Sequence, residues 1–294
     1  MKIGRILGVR IKLNIFFLLI LAIYGSAGYL TEALIIYGAA LLHEIAHAVV
    51  AHSYGLKIDE IELLPFGGVA RIRDLDLSSW DLGTEIMVTL AGPAENMILA
   101  ATARILAGYG VWDTSLAGLF YRANIAIAGF NLLPALPLDG GRLLRAYLAR
   151  HLSWHQATEI TARLGQALGA LLVSGGLVLL KHNLLFINVT VLGIFLWAAA
   201  AGEKRWAGLM LLRYLTRKHR GLKTGQIAKG ELLAVSADTT LRELAQRFVA
   251  GRYHFIYILD KDYTIMAIIS EDEVVTGLFT HGPNITLKQL LGCC

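Results

Sequence analysis

The chain has 294 residues, 56% of them hydrophobic and only 17% charged, whereas an average soluble domain carries roughly 25% charged residues. That balance excludes an ordinary soluble enzyme and points to a membrane protein. The net charge of +5 comes from Lys2, Arg5, Arg10, Lys12 and a cluster from Lys204 to Lys223. Both groups flank apolar segments, which suits headgroup contact and excludes a nucleic-acid surface.

The basic start and apolar run of residues 1–25 resemble a signal peptide, but Tyr24, Gly25 and Tyr29 make a poor cleavage site, so an uncleaved first span is expected. About 20 apolar residues cross a bilayer core, and the sequence offers six such segments, roughly 13–30, 33–54, 84–110, 117–139, 163–181 and 183–201. Six spans put both termini on one side. Lys57, Arg71, Arg73, Arg142, Arg145 and Arg150 fall in the connections on that side, and Lys181 alone falls opposite. The positive-inside rule therefore predicts cytoplasmic termini.

The second span contains LLHEIAHAVV. His43 and His47 stand one turn apart on one helical face and can share a metal ion. Glu44 lies beside them, placed to act as a general base toward water activated by zinc. Ionisable groups inside an apolar span are costly and usually functional. Beyond this span, IDEIELLPFGGVARI alternates around Gly67 and Gly68 and reads as a hairpin beside the site, whose edge could pair with an extended substrate, or as a simple turn.

In the third span, AGPAEN holds a Gly-Pro pair, so the helix starts at Pro93 or kinks there. Glu95 and Arg104 either pair inside the bundle or snorkel. The fourth span runs into NLLPALPLDGG, where Asp139 can share the depth of the histidines and supply the third metal ligand. The plainer reading of Asp139 is a helix cap before Gly140 and Gly141. Asn131, Pro134 and Pro137 break the helix ahead of it, and unwound backbone at membrane depth is tolerated where it lines a cavity. Asn131 can hold a substrate backbone or cap the broken helix.

From about Leu222 the text becomes soluble. Thr239 or Thr240 can cap a helix over Leu241–Phe248. HFIYIL and YTIMAIIS read as strands joined at Asp260–Asp262, with a helix from about Glu271. Cys293 and Cys294 are adjacent at the end and imply no disulfide framework.

Taken together, HEIAH, FGGVA, AGPAEN and NLLPALPLDGG resemble, in order, the motifs of the site-2 protease family of intramembrane metalloproteases, over residues 1–202. The resemblance implies that His43, His47 and Asp139 bind one zinc ion and that Glu44 activates water. It also implies that Asn131, Pro134, Pro137, Gly67 and Gly68 lie along the substrate cleft. Within the family the chain is most similar to the sporulation branch that processes pro-sigma-K. That implies a mother-cell membrane location around the forespore and membrane-protein inhibitors. The tail resembles a single CBS module, implying pairing between chains and possible ATP binding, or a docking domain without a ligand.

The expected architecture is an α-helical polytopic membrane protein of about six transmembrane helices (residues 1–202), a basic linker (203–222) and a small C-terminal α+β CBS-like domain (223–294). Alternatives are a site-2 protease acting on an anti-sigma factor or remnant signal peptide, and a non-proteolytic zinc-binding regulator or transporter. Glu44 separates the last of these, since a metal carrier has no need of a base.

Overall fold

The computed structural model describes residues 2–6, 9–56, 58–64, 67–72, 82–183, 186–223, 229–249 and 252–292. Arg73, Cys293 and Cys294 lie outside them.

The N-terminus does not pass directly into a span. β1 (Lys2–Ile6) and β2 (Val9–Leu13) form an antiparallel hairpin before α1 (Ile15–Ser26) and α2 (Leu30–Ser53). β3 (Ile58–Leu64) and β4 (Gly67–Ile72) form a second hairpin, so IDEIELLPFGGVARI takes the strand reading over the turn. β2 runs parallel to β3, and the sheet order is β1-β2-β3-β4. The register sets Arg10 opposite Glu60 and Lys12 opposite Glu62. The two strands are too distant in sequence for that pairing to be anticipated. β4 is an edge strand and lies against α2.

α3 (Leu82–Gly108) is one helix with Pro93 inside it, not one that begins there. α4 (Thr114–Asn131) is capped by Asp113, which accepts from the Ser115 and Leu116 amides. It stops at Asn131, eight residues short of the expected end of the fourth span, because Pro134 and Pro137 cannot continue a helix. Asp139 instead opens α5 (Asp139–Leu148).

α6 (Trp154–Leu179) starts well before the expected residue 163, at a capping box between Ser153 and Gln156. α7 (Ile187–Lys223) continues through the segment read as a linker, which is rich in good helix formers. α6 and α7 pack along their length. Among the described residues four helical stretches are long and apolar enough to cross a membrane: Leu30–Ser53, Gly83–Gly108, Trp154–Leu179 and Ile187–Arg205. Phe17–Ser26 is apolar but shorter.

The tail comprises β5 (Lys229–Ser236), α8 (Leu241–Ala245), β6 (Arg252–Leu259), β7 (Ile265–Ser270), α9 (Glu271–Thr280) and α10 (Leu287–Gly292). β5 and β6 are parallel, and β6 and β7 antiparallel. Thr240 and Ser270 each close a capping box, with Glu243 and Glu273. Asp260 accepts from the Asp262 and Thr264 amides and the Thr264 hydroxyl, which shapes the β6–β7 turn and holds its carboxyl below the ordinary range. Leu241, Leu244, Phe248, Ile256, Ile258 and Val274 form the fully buried centre of this unit.

The tail also touches the helical region. Ser153 pairs with Val249 in an isolated antiparallel bridge, and Trp154 packs against the tail core. The Arg145 guanidinium of α5 lies 4.7 Å above the Trp154 ring, an ordinary cation–π distance. Arg145 also pairs with buried Glu85 of α3 and lies 3.7 Å from Glu203 of α7. One side chain on the short helix thus ties three others together.

Removing a single partner strands a buried charge, which costs about 3–5 kcal/mol. Arg145→Ala is therefore expected to destabilise the fold by about that amount, seen as a lower thermal unfolding midpoint of the purified chain in detergent. An unchanged midpoint would show that Glu85 needs no counter-ion.

Candidate metal centre

His43 and His47 leave the same face of α2, with Nε2 atoms 3.1 Å apart. Asp139 Oδ2 sits 3.1 Å from each of them. The three donors form a near-equilateral triangle, with His43 3% and Asp139 6% exposed. Zinc bonds of about 2.0–2.2 Å at tetrahedral angles place donor atoms about 3.3 Å apart. The residues present therefore fit a zinc ion with movements of only tenths of an ångström. His47 Nδ1 donates to the Val88 carbonyl at 2.7 Å, which turns the lone pair of Nε2 toward the centre.

Two glycine features make this approach possible. A Cβ at Gly92 of α3 would lie 2.4 Å from His47 Nε2 and 2.6 Å from His43 Cε1, so α3 can close over the imidazoles only with glycine there. At the start of α5, a Cβ on Gly140 would lie 2.1 Å from the Leu132 carbonyl oxygen, and one on Gly141 would lie 2.3 Å from Ala135 C. The α5 N-terminus thus nests against the 132–138 segment, itself pinned by the Leu136 amide donating to the Thr161 carbonyl at 3.1 Å. Asp139 is aimed by packed backbone on both sides.

The other expected site residues are placed as follows. Glu44 adjoins His43, with His47, His43, Asp139 and Arg142 as its electrostatic neighbours. Asn131 ends α4, and its amide donates to the Ile127 carbonyl at 3.1 Å. Pro134 is exposed and Pro137, after a cis Leu136–Pro137 bond, is half-buried, both in the segment leading to Asp139. Gly67 and Gly68 pair with Leu64 and Leu63 in the β3–β4 hairpin. Glu95 is half-buried with His43 and His47 as electrostatic neighbours, while Arg104 is exposed; among the described residues no ion pair joins them.

Sequence reasoning missed Gly92, Asn96 and the Val88 carbonyl. The Gly-Pro pair and Asn96 were visible as oddities in an apolar helix, but they read as a kink and gave no sign of contact with α2.

A helix-borne HExxH closed by a distant aspartate, among helices apolar enough to span a bilayer, defines a membrane-embedded metal-dependent peptidase. The model of peptidase family M50 matches residues 31–121 and 110–172. The chain is 31% identical over 264 residues to a zinc metalloprotease of Methanocaldococcus jannaschii, covering 86% of this chain and 73% of that one. It is 28% identical over 283 residues to stage IV sporulation protein FB of Bacillus subtilis, covering 96% of each. The solved site-2 protease from Methanocaldococcus jannaschii superposes with a TM-score of 0.57 at 29% identity, over 69% of this chain and 94% of that one. The chain belongs to the site-2 protease family, peptidase family M50, and is an integral-membrane zinc metalloprotease.

Gly92→Ala is expected to lower the zinc content of the purified chain from about one ion to near zero, because the added methyl would sit on two ligands. Full zinc occupancy in this variant would show that α3 does not cover the centre. Chelation of the native chain should abolish proteolysis, and added zinc should restore it.

Proposed function

We propose that this enzyme hydrolyses a peptide bond of a membrane-associated protein with Glu44 as general base, and that its substrate is a pro-sigma factor of the sigma-K type. The observation that carries the chemistry is Glu44, set directly beside the histidines and electrostatically coupled to all three ligands. His43, His47 and Asp139 would hold zinc, which supplies Lewis acidity and lowers the pKa of water. Glu44 takes a proton from the attacking water and returns it to the departing amine. Burial of the ligands keeps competing solvent away.

The substrate assignment is supported by similarity to stage IV sporulation protein FB over 96% of both chains. An extended segment could add to β4, the edge strand of the described sheet next to α2, with Gly67 and Gly68 giving little steric obstruction. Asn131 would contact the substrate through its free amide oxygen or by releasing Ile127, with Pro134 and Pro137 lining the same segment.

We further propose that α1 and α4 complete six spans, with both termini cytoplasmic, on the distribution of Lys and Arg. The expected setting is the mother-cell membrane around the forespore, under the control of membrane-protein inhibitors. The tail is read as a CBS-like unit that pairs with a second chain through the outer sheet face, where Leu232, Phe255, Met266 and Ile268 are exposed. Adenine nucleotide is the ligand that this reading implies for it.

Co-expression with a membrane-tethered pro-sigma substrate tests the function. Native protein should cut, and Glu44→Gln should lose at least about a thousandfold in rate while accumulating equally and keeping its zinc. Equal cutting by both would remove Glu44 from the mechanism. Cutting of an anti-sigma factor or remnant signal peptide instead would keep the chemistry and replace the substrate.

A further inference from the structure

His43 differs from His47 in what holds its second nitrogen. His43 Nδ1 lies 2.6 Å from Asn96 Oδ1, Asn96 Nδ2 lies 2.8 Å from Asn124 Oδ1, and Asn124 Nδ2 lies 2.9 Å from the Phe120 carbonyl oxygen. Both asparagines are 0% exposed, so solvent supplies neither with a substitute partner. The chain begins on α2, crosses α3 and ends on the backbone of α4, a helix that provides no ligand.

We infer that Asn96 and Asn124 are positioning residues that hold His43 as an Nδ1-protonated imidazole, with the Phe120 carbonyl fixing the direction of the whole relay. The inference rests on the zinc-peptidase reading and deepens it. A carbonyl can only accept, so Asn124 must turn its NH2 toward Phe120 and its oxygen toward Asn96. That oxygen accepts, so Asn96 must present its NH2 to Asn124 and its own oxygen to His43. An oxygen facing Nδ1 requires the hydrogen there, and the lone pair is left on Nε2, the atom 3.1 Å from both Asp139 Oδ2 and His47 Nε2. Turning over either amide would set donor against donor and acceptor against acceptor in a buried site.

The use of neutral amides has its own logic. A carboxylate at position 96 would also accept from Nδ1, but it could not donate to Asn124 and would add a further negative charge near Asp139 and Glu44. An amide fixes the tautomer without changing the charge of the centre.

The test is zinc affinity of the full-length chain in detergent, by competition with a chelator, for native protein, Asn96→Ala, Asn96→Asp and Asn124→Ala. Partners of this kind change metal affinity about 10–100-fold. Asn96→Ala should weaken zinc binding by that factor and perturb the visible spectrum of the cobalt-substituted chain. Asn96→Asp keeps an acceptor at Nδ1 but loses the NH2 that donates to Asn124, so it should bind zinc more tightly than Asn96→Ala without reaching the native affinity. Asn124→Ala frees the Asn96 amide to rotate and should show a smaller loss than Asn96→Ala.

Native affinity in Asn96→Ala, or equal losses in the Ala and Asp variants at position 96, would overturn the inference. If Asn96→Ala does not accumulate, native affinity in Asn124→Ala would overturn it. A native chain that binds no zinc would sink the peptidase reading itself; these outcomes leave that reading standing.

Discussion

Three metal-binding donors converge within 3.1 Å of one another inside a bundle of apolar helices, and the surrounding architecture serves that convergence. Two imidazole nitrogens and a carboxylate turned toward each other away from water repel unless a cation or shared protons sit among them. α2 supplies two donors by its own geometry. The third must be delivered from 92 residues further along the chain, past two bundle helices and a proline-broken segment, at the start of a new helix. Gly92 lets α3 lie against the imidazoles, and Gly140 and Gly141 let α5 lie against the broken segment. Each contact relies on the absence of a side chain to bring a polar one into place.

Around this centre a second polar system joins the helices at the α5 end. Arg145 is shared by Glu85, Glu203 and the ring of Trp154, so the helix that opens with Asp139 is anchored to α3, α6 and α7. Trp154 also meets the hydrophobic core of the tail, and Ser153 bridges to Val249. The ligand helix and the C-terminal unit therefore share neighbours.

The centre was readable in advance because its signals are local or costly. HEIAH declares its geometry within one helical turn, and Asp139 stands out as an acid at the end of an apolar stretch. The asparagine relay was not readable, because Asn96 and Asn124 gain meaning only when α2, α3 and α4 are side by side. The same holds for the N-terminal strands: RIKL carries no strong strand signal, and its parallel partner β3 lies far along the chain. α6 begins ahead of its apolar run because hydropathy marks only the apolar part of a helix, whereas Ser153 and Gln156 start it with a polar capping box.

By itself the sequence determined a membrane-embedded chain, an HExxH helix and an α+β tail, since hydropathy, helical period and turn chemistry act between near neighbours. The tertiary structure alone decided that Asp139 opens a new helix, that Gly92 faces two ligands, and that a backbone carbonyl on α4 reaches His43 through two amides. Those facts depend on which helices pack together and how closely, and close packing is settled by the combined shape of surfaces remote in sequence.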